Sequence, residues 1–258
     1  MRELLTHPST SEFTQGSIFE GLKVNNDRSP TNAIVITARC DIANEKARNI
    51  LCLPIYKAKN WLENQGEELV FRRIEEKLKN KLNIELGKLN ISYEILPIYP
   101  TESILELVNK NANKKNTDEV KKLIFMFKEK KCDYTLDFVL NARKSLSSTL
   151  INNTENSIYF LEQTNLNEAL EPYVVDLVNP TSIPFQLAKR LKKGITHLSD
   201  MDKQYLCMQG KEITYTAILK SPYIEHLLQK FSNFYSRIGT EDLEPESIEF
   251  LKEKLNEI

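Results

Sequence analysis

Cys40 and Asp41 stand side by side at the end of the run Ala33-Ile-Val-Ile-Thr-Ala-Arg-Cys-Asp-Ile42, the most β-prone apolar stretch of the early chain. A thiol beside a carboxylate at a strand end is where thiol chemistry would be sought, with a histidine as base. His197 and His226 are the candidates for that base, and Arg39 adds a cation to the pair. Neither histidine lies in a recognisable motif, and no neighbouring residue marks an oxyanion hole. Free cysteine is among the most buried residue types, and Asp at this position can shape the following turn through its own side chain. The pair therefore reads better as a strand whose polar end forms a turn than as an active site.

Other chemistries find less support. His7, His197 and His226 lack metal-ligand spacing, and Cys40, Cys52, Cys132 and Cys207 contain no C-x-x-C pair. The glycines are singletons, so no phosphate loop is present. No metal and no cofactor are expected. Basic residues cluster at Lys110, Lys114, Lys115, Lys121 and Lys122, then at Lys128, Lys130 and Lys131, and again at Lys189, Arg190, Lys192 and Lys193. Such patches serve RNA contact or docking to an acidic protein; a solvated helix face is the commoner meaning. The aromatic-bearing run Ser221–Gly239 offers Tyr223, His226, Phe234 and Arg237 as a protein-binding surface, since aromatic and arginine side chains are frequent anchors.

These residues need elements to hold them. With 258 residues, 41% hydrophobic and 28% charged at a formal net charge of −1, the chain can bury a sizeable core. It lacks a global positive field for nucleic acid or membrane surfaces. No signal-peptide pattern and no membrane-spanning run appear, which points to the cytoplasm.

Residues 1–15 read as a polar arm. Strands are expected over Gly16–Val24, Ala33–Ile36 and Ile50–Tyr56, with Pro54 arguing for an edge or bulge. Val70, Ile74, Leu78 and Leu82 recur every four residues and predict an amphipathic helix over about 60–82. A short strand is expected within Ile91–Tyr99, then a brief helix over Glu102–Asn109. A helical stretch from Thr117, capped by Asn116, continues to about Leu150. Strands return at Ser157–Leu161 and Pro172–Val178, followed by a short basic helix over 186–193. Lys203–Met208 and Glu212–Leu219 flank Gln209-Gly210-Lys211 as a hairpin. Ser221 as N-cap and Pro222 at the first helical position open the best helix, Gly239 caps its end, and an acidic helix closes the chain.

The fold class expected is α+β: an SH3-like β-barrel or strongly bent antiparallel sheet from residues 1–59 and 151–258, interrupted by a helical insertion at 60–150 and closed by C-terminal helices.

Two resemblances bear on function. Gly16-Ser-Ile-Phe, Ala33-Ile-Val-Ile-Thr and Ile50-Leu-Cys-Leu-Pro-Ile resemble the opening strands of PemK/MazF-type toxins, SH3-like barrels that cleave RNA. Arg28 stands near an arginine of that family, while Ser17 and Tyr56 replace an acidic residue and a threonine. The resemblance implies an RNA-acting barrel using Arg28, Arg39 and Asp41. Thr37-Ala-Arg-Cys-Asp-Ile42, with Ser221-Pro-Tyr-Ile-Glu-His-Leu-Leu-Gln and Arg237-Ile-Gly, is similar to blocks in uncharacterised bacterial proteins. The leading expectation is a non-enzymatic protein-interaction module of a bacterial toxin–antitoxin or anti-phage system. RNA binding or cleavage is the alternative, and a Cys40 thiol enzyme the second. The expected partners are a protein and, on the alternative, RNA; no membrane is expected.

Overall fold

The computed structural model describes residues 2–8, 13–24, 30–111, 117–210, 212–236 and 244–256. The chain opens with β1 (Leu5–Thr6), β2 (Ser17–Leu22) and β3 (Thr31–Val35), then α1 (Arg39–Ala43) and the long β4 (Asn49–Lys57). Four helices follow: α2 (Ala58–Lys88), α3 (Thr101–Asn111), α4 (Thr117–Glu129) and α5 (Asp137–Ile151). After β5 (Ile158–Leu161), β6 (Tyr173–Asp176) and β7 (Thr181–Pro184) come α6 (Phe185–Leu191), β8 (Tyr215–Leu219), α7 (Tyr223–Tyr235) and α8 (Pro245–Asn256).

All eight strands join one antiparallel sheet in the order β1-β8-β2-β3-β4-β6-β5, with β7 also on β4. The sheet curls until its two edges come within side-chain reach. Arg2, ahead of β1, pairs with Glu162, just past β5. The first residues are therefore not a free arm: Leu4 and Leu5 are buried, and β1 pairs with β8.

Strand alternation sends the apolar residues to both faces. Ile18, Ile34, Leu53, Ile55, Tyr159, Val175 and Ala217 fill the inside of the curl beneath Ile224 and Leu227 of α7. On the outer face, Phe19, Val35, Ile50 and Cys52 pack against Phe185, Leu187 and Leu191 of α6. Further along that face, Val174 and Ile158 meet the helical core built on Val70, Ile74, Leu78 and Leu82 of α2. Burial on both faces is why these strands read as continuous apolar runs.

β4 is central, not an edge, and its Pro54 has a simple explanation. Leu51 and Ile55 direct their main-chain groups toward β3: Leu51 O accepts from Ile36 N, and Ile55 O accepts from Thr31 Oγ1. By alternation, the Pro54 nitrogen faces the opposite side. There β7 pairs with Asn49–Cys52 and β6 with Ile55–Lys57. The proline occupies the gap between the two partners, where no ladder bond needs its missing N–H. β6 and β7 thus act as one strand interrupted by a bulge at 177–180.

Several expected elements differ. Ile91–Tyr99 holds a 3-10 turn, Tyr93–Ile95, rather than a strand. The expected helix to Leu150 is two helices, parted by a connection that begins at left-handed Lys130 (φ 55°). Only Tyr215–Leu219 of the expected hairpin is a strand; Leu206 instead bridges to Leu22, and Ile213 to Ile195. Ser221 makes no capping bond because α7 starts at Tyr223. The N–H groups of Tyr223 and Ile224 are already satisfied by Lys220 O. Asn116, Lys211 and Gly239 lie outside the described residues.

Candidate functional site

Cys40 and Asp41 are not at a strand end. β3 stops at Val35, and the pair lies in α1, a helix of 5 residues. Thr37 ends the strand structurally, its Oγ1 accepting from Leu51 N at 2.6 Å. The turn after the pair is made by Asn44 Nδ2, which donates to Cys40 O at 2.8 Å, and by Lys46 N, which donates to Asp41 O at 2.9 Å. Asp41's carboxylate makes no turn bond; its contact is with Cys40 Sγ at 3.8 Å.

Cys40 is exposed, and no hydrogen bond joins it to a histidine among the described residues. Ile42 of α1 packs into the outer-face core, whereas α7, with His226, covers the inside of the curl. The sheet separates the thiol from His226. Arg39 is exposed and has no hydrogen-bond or ion-pair partner among the described residues. With Ile42, Lys189 and Lys192 it lines a pocket of about 260 Å³. Ser17, where the resemblance expects an acid, is fully buried and accepts from Thr14 N at 2.9 Å. Arg28 and Arg237 lie outside the described residues.

Tyr223 and His226 do come together, at the first turn of α7 where it crosses the two sheet edges. Tyr159 of β5 lies beneath them, its hydroxyl 3.3 Å from His226 Nδ1 and 3.4 Å from Tyr223 O. Arg2 crosses over the Tyr223 ring at 5.7 Å and binds Glu162. Burial pushes the Tyr159 phenol up to about 12, so it stays protonated and works as a donor and filler. This cluster locks α7 across the gap between β1 and β5. Sequence reading missed Arg2, Tyr159 and Glu162 because the contacts span long stretches of chain.

Phe234 sits at the opposite end of α7, in a different surface. Phe231 and Phe234 both meet the Tyr235 ring, at centroid distances of 4.8 and 5.3 Å. Tyr235 is 51% exposed, and its hydroxyl donates to Val178 O at 2.9 Å. Val178 is itself exposed, at the crest of the β6–β7 bulge. Asp176 shapes that bulge from a buried position: Oδ1 accepts from Val178 N and Oδ2 from Asn179 Nδ2, each at 2.8 Å. A helix end and a strand bulge thus hold exposed Tyr235 and Val178 in place, with Phe231 and Phe234 half-buried beside them. The signal for its second half was present in Pro180 and Asn179, a break in a β-run.

The basic clusters are largely engaged with neighbours. Lys122 faces Asp133 and Lys130 faces Glu75. Lys128 donates to Tyr99 O at 2.6 Å, Lys189 pairs with Glu45, and Arg190 pairs with Asp202 at 2.7 Å. Lys114 and Lys115 lie outside the described residues. Among the described residues no group of three or more His, Cys, Asp or Glu side chains could hold a metal ion, and no helix is long and apolar enough to cross a membrane.

Comparison with protein-family models, curated proteins and solved structures finds no match. The site must be read from its own geometry.

Proposed function

We propose that this chain is a protein-interaction module whose docking surface is the aromatic end of α7 with the β6–β7 bulge. The observation that carries this reading is the Phe231–Phe234–Tyr235 cluster, held to Val178 by the Tyr235 hydroxyl. Aromatic anchors fixed before binding lose little freedom on association, which is what a strong contact centre needs. α8 adds a second surface, with Ile248 and Leu251 exposed three residues apart on one helix stripe. Isolated helices of this length are marginal in water, and an apolar stripe that docks in a partner's groove would stabilise it. The bacterial toxin–antitoxin or anti-phage setting rests on the sequence resemblance, and the identity of the neighbouring genes tests it.

The experiment is cross-linked co-purification from the host, then reconstitution of the purified pair with Tyr235→Ala and Val178→Asp variants. Each substitution is expected to weaken the pair about tenfold or more while leaving the unfolding midpoint near that of the parent. Undiminished affinity in both variants rejects this surface.

A second reading, RNA contact by an SH3-like sheet, is favoured by one observation: Arg39, without an ion-pair partner among the described residues, shares its pocket with Lys189 and Lys192. Here Arg39→Ala is expected to lower RNA affinity and flatten its salt dependence. Equal binding by parent and variant rejects it.

A further inference from the structure

The pocket beside Arg39 combines an apolar floor with a cationic rim. Phe13, Ile42, Phe185 and Ala188 make the floor, and all four are buried. They meet because α1 and α6 both turn apolar side chains onto the outer face of the sheet. At the rim stand Arg39, Lys192 and Lys189, the last crossing the Phe185 ring at 4.9 Å and pairing with Glu45. Three cations against one carboxylate leave the rim positive, and Arg39 has no ion-pair partner among the described residues. The volume is about 260 Å³. A cavity of about 150 Å³ already takes a benzene ring, so one aromatic side chain fits. Chemistry and size together suit an aromatic anchor flanked by carboxylates.

The chain carries such an anchor on α8. Helical spacing turns Phe250 away from the stripe of Ile248 and Leu251 and toward the acidic side of the helix. Glu253, three residues on, shares its face, and Glu249 lies one turn before Glu253 on the adjoining row. Phe250 is 58% exposed, with Lys254 over one side of its ring at 5.9 Å. Every described side chain of α8 is exposed, so this helix does not occupy the pocket of its own chain.

We infer that α8 of one copy seats Phe250 in the Arg39 pocket of a second copy, with Glu249 and Glu253 turned to the cationic rim. The inference goes beyond the docking surface proposed above, because it uses the other side of α8 and the outer face of the sheet. Knob and pocket are different surfaces, so the contact is heterologous and continues from copy to copy.

Sedimentation velocity of the full chain tests it. The concentration series reaches the order of hundreds of micromolar, because a contact of one helix is smaller than that of a stable dimer. The mean mass is expected to rise past that of a dimer, and to fall in about 0.5 M sodium chloride as the charges are screened. Phe250→Ala and Arg39→Glu each alter an exposed residue. Each is expected to weaken association about tenfold or more with the unfolding midpoint unchanged. An equimolar mixture of the two variants retains one intact knob and one intact pocket, so it should recover association and stop at two copies. RNA contact at the same rim would survive Phe250→Ala, which separates that reading from this one. A parent that stays monomeric throughout the series overturns the inference. So does association that ignores salt or either variant, or a mixture that fails to recover it.

Discussion

At the scale of single residues, burial separates groups that look alike in the sequence. Cys40 is exposed while Cys52 is fully buried, its thiol pushed far up by loss of solvent. Cys132, half-buried, is raised to about 11, again chiefly by burial. Mass spectrometry after brief alkylation at pH 8 should therefore find Cys40 modified well before Cys132, and Cys52 only after unfolding. Modification of Cys52 in the native chain would contradict its placement on β4 beneath α6. Lys230 makes the opposite case. Its ammonium donates to Ile158 O at 2.6 Å from a half-buried site, and burial lowers its pKa to about 8, against 10.5 ordinarily. Between those values the unfolded chain binds the proton and the folded chain does not, so stability contributed here rises with pH. Urea unfolding of the parent and Lys230→Met at pH 7.5 and pH 10 checks this. The parent should gain relative to the variant at the higher pH, and a constant difference would refute it.

At the scale of elements, legibility depended on whether neighbours in sequence were also neighbours in space. The four-residue recurrence from Val70 to Leu82 is a local property of one helix, and all four residues are buried as it requires. β3 was legible because both its faces are covered, which makes Ala33–Val35 uniformly apolar. Pro54 pointed to an edge or a bulge; the edge is absent, the bulge lies in the partner between β6 and β7, and that switch of partner is invisible until the sheet is assembled. α1 was hidden for another reason: a helix of 5 residues has too little periodicity to show. Of the candidate residues, Tyr223 and His226 lie together at the first turn of α7, whereas Phe234 belongs to its far end. Asp176 went unnoticed because Val174-Val-Asp-Leu reads as strand, whereas its carboxylate organises the bulge. Asp176→Ala strands the Val178 N–H and should cost about 1–3 kcal/mol in urea unfolding. The Tyr235 hydroxyl should exchange protons faster by NMR as Val178 shifts. An unchanged midpoint would mean that the bulge holds its shape without the carboxylate.

At the scale of the whole molecule, the question is whether the helices α2–α5 and the curled sheet fold as one unit. The connection runs through alternating residues of two short strands. Val174 and Ile158 face the α2 core, while Val175 and Tyr159, their immediate neighbours, face the inside of the curl beneath α7. α7 in turn spans both sheet edges: Arg2, ahead of β1, lies over the Tyr223 ring, and Lys230 Nζ reaches Ile158 O on β5. Loosening α7 should therefore reach the helical core through β5 and β6. Leu227→Ala removes a fully buried side chain from the interior of the curl and should lower stability by about 2–5 kcal/mol. Trp61 lies in the helical core, on the other side of the sheet from Leu227. In a cooperative chain its fluorescence and the far-ultraviolet circular dichroism lose their native signals at one common, lowered urea concentration. If the circular dichroism shows an early phase while the Trp61 midpoint keeps its parental value, the helices form an independent unit and the shared strands do not couple the cores.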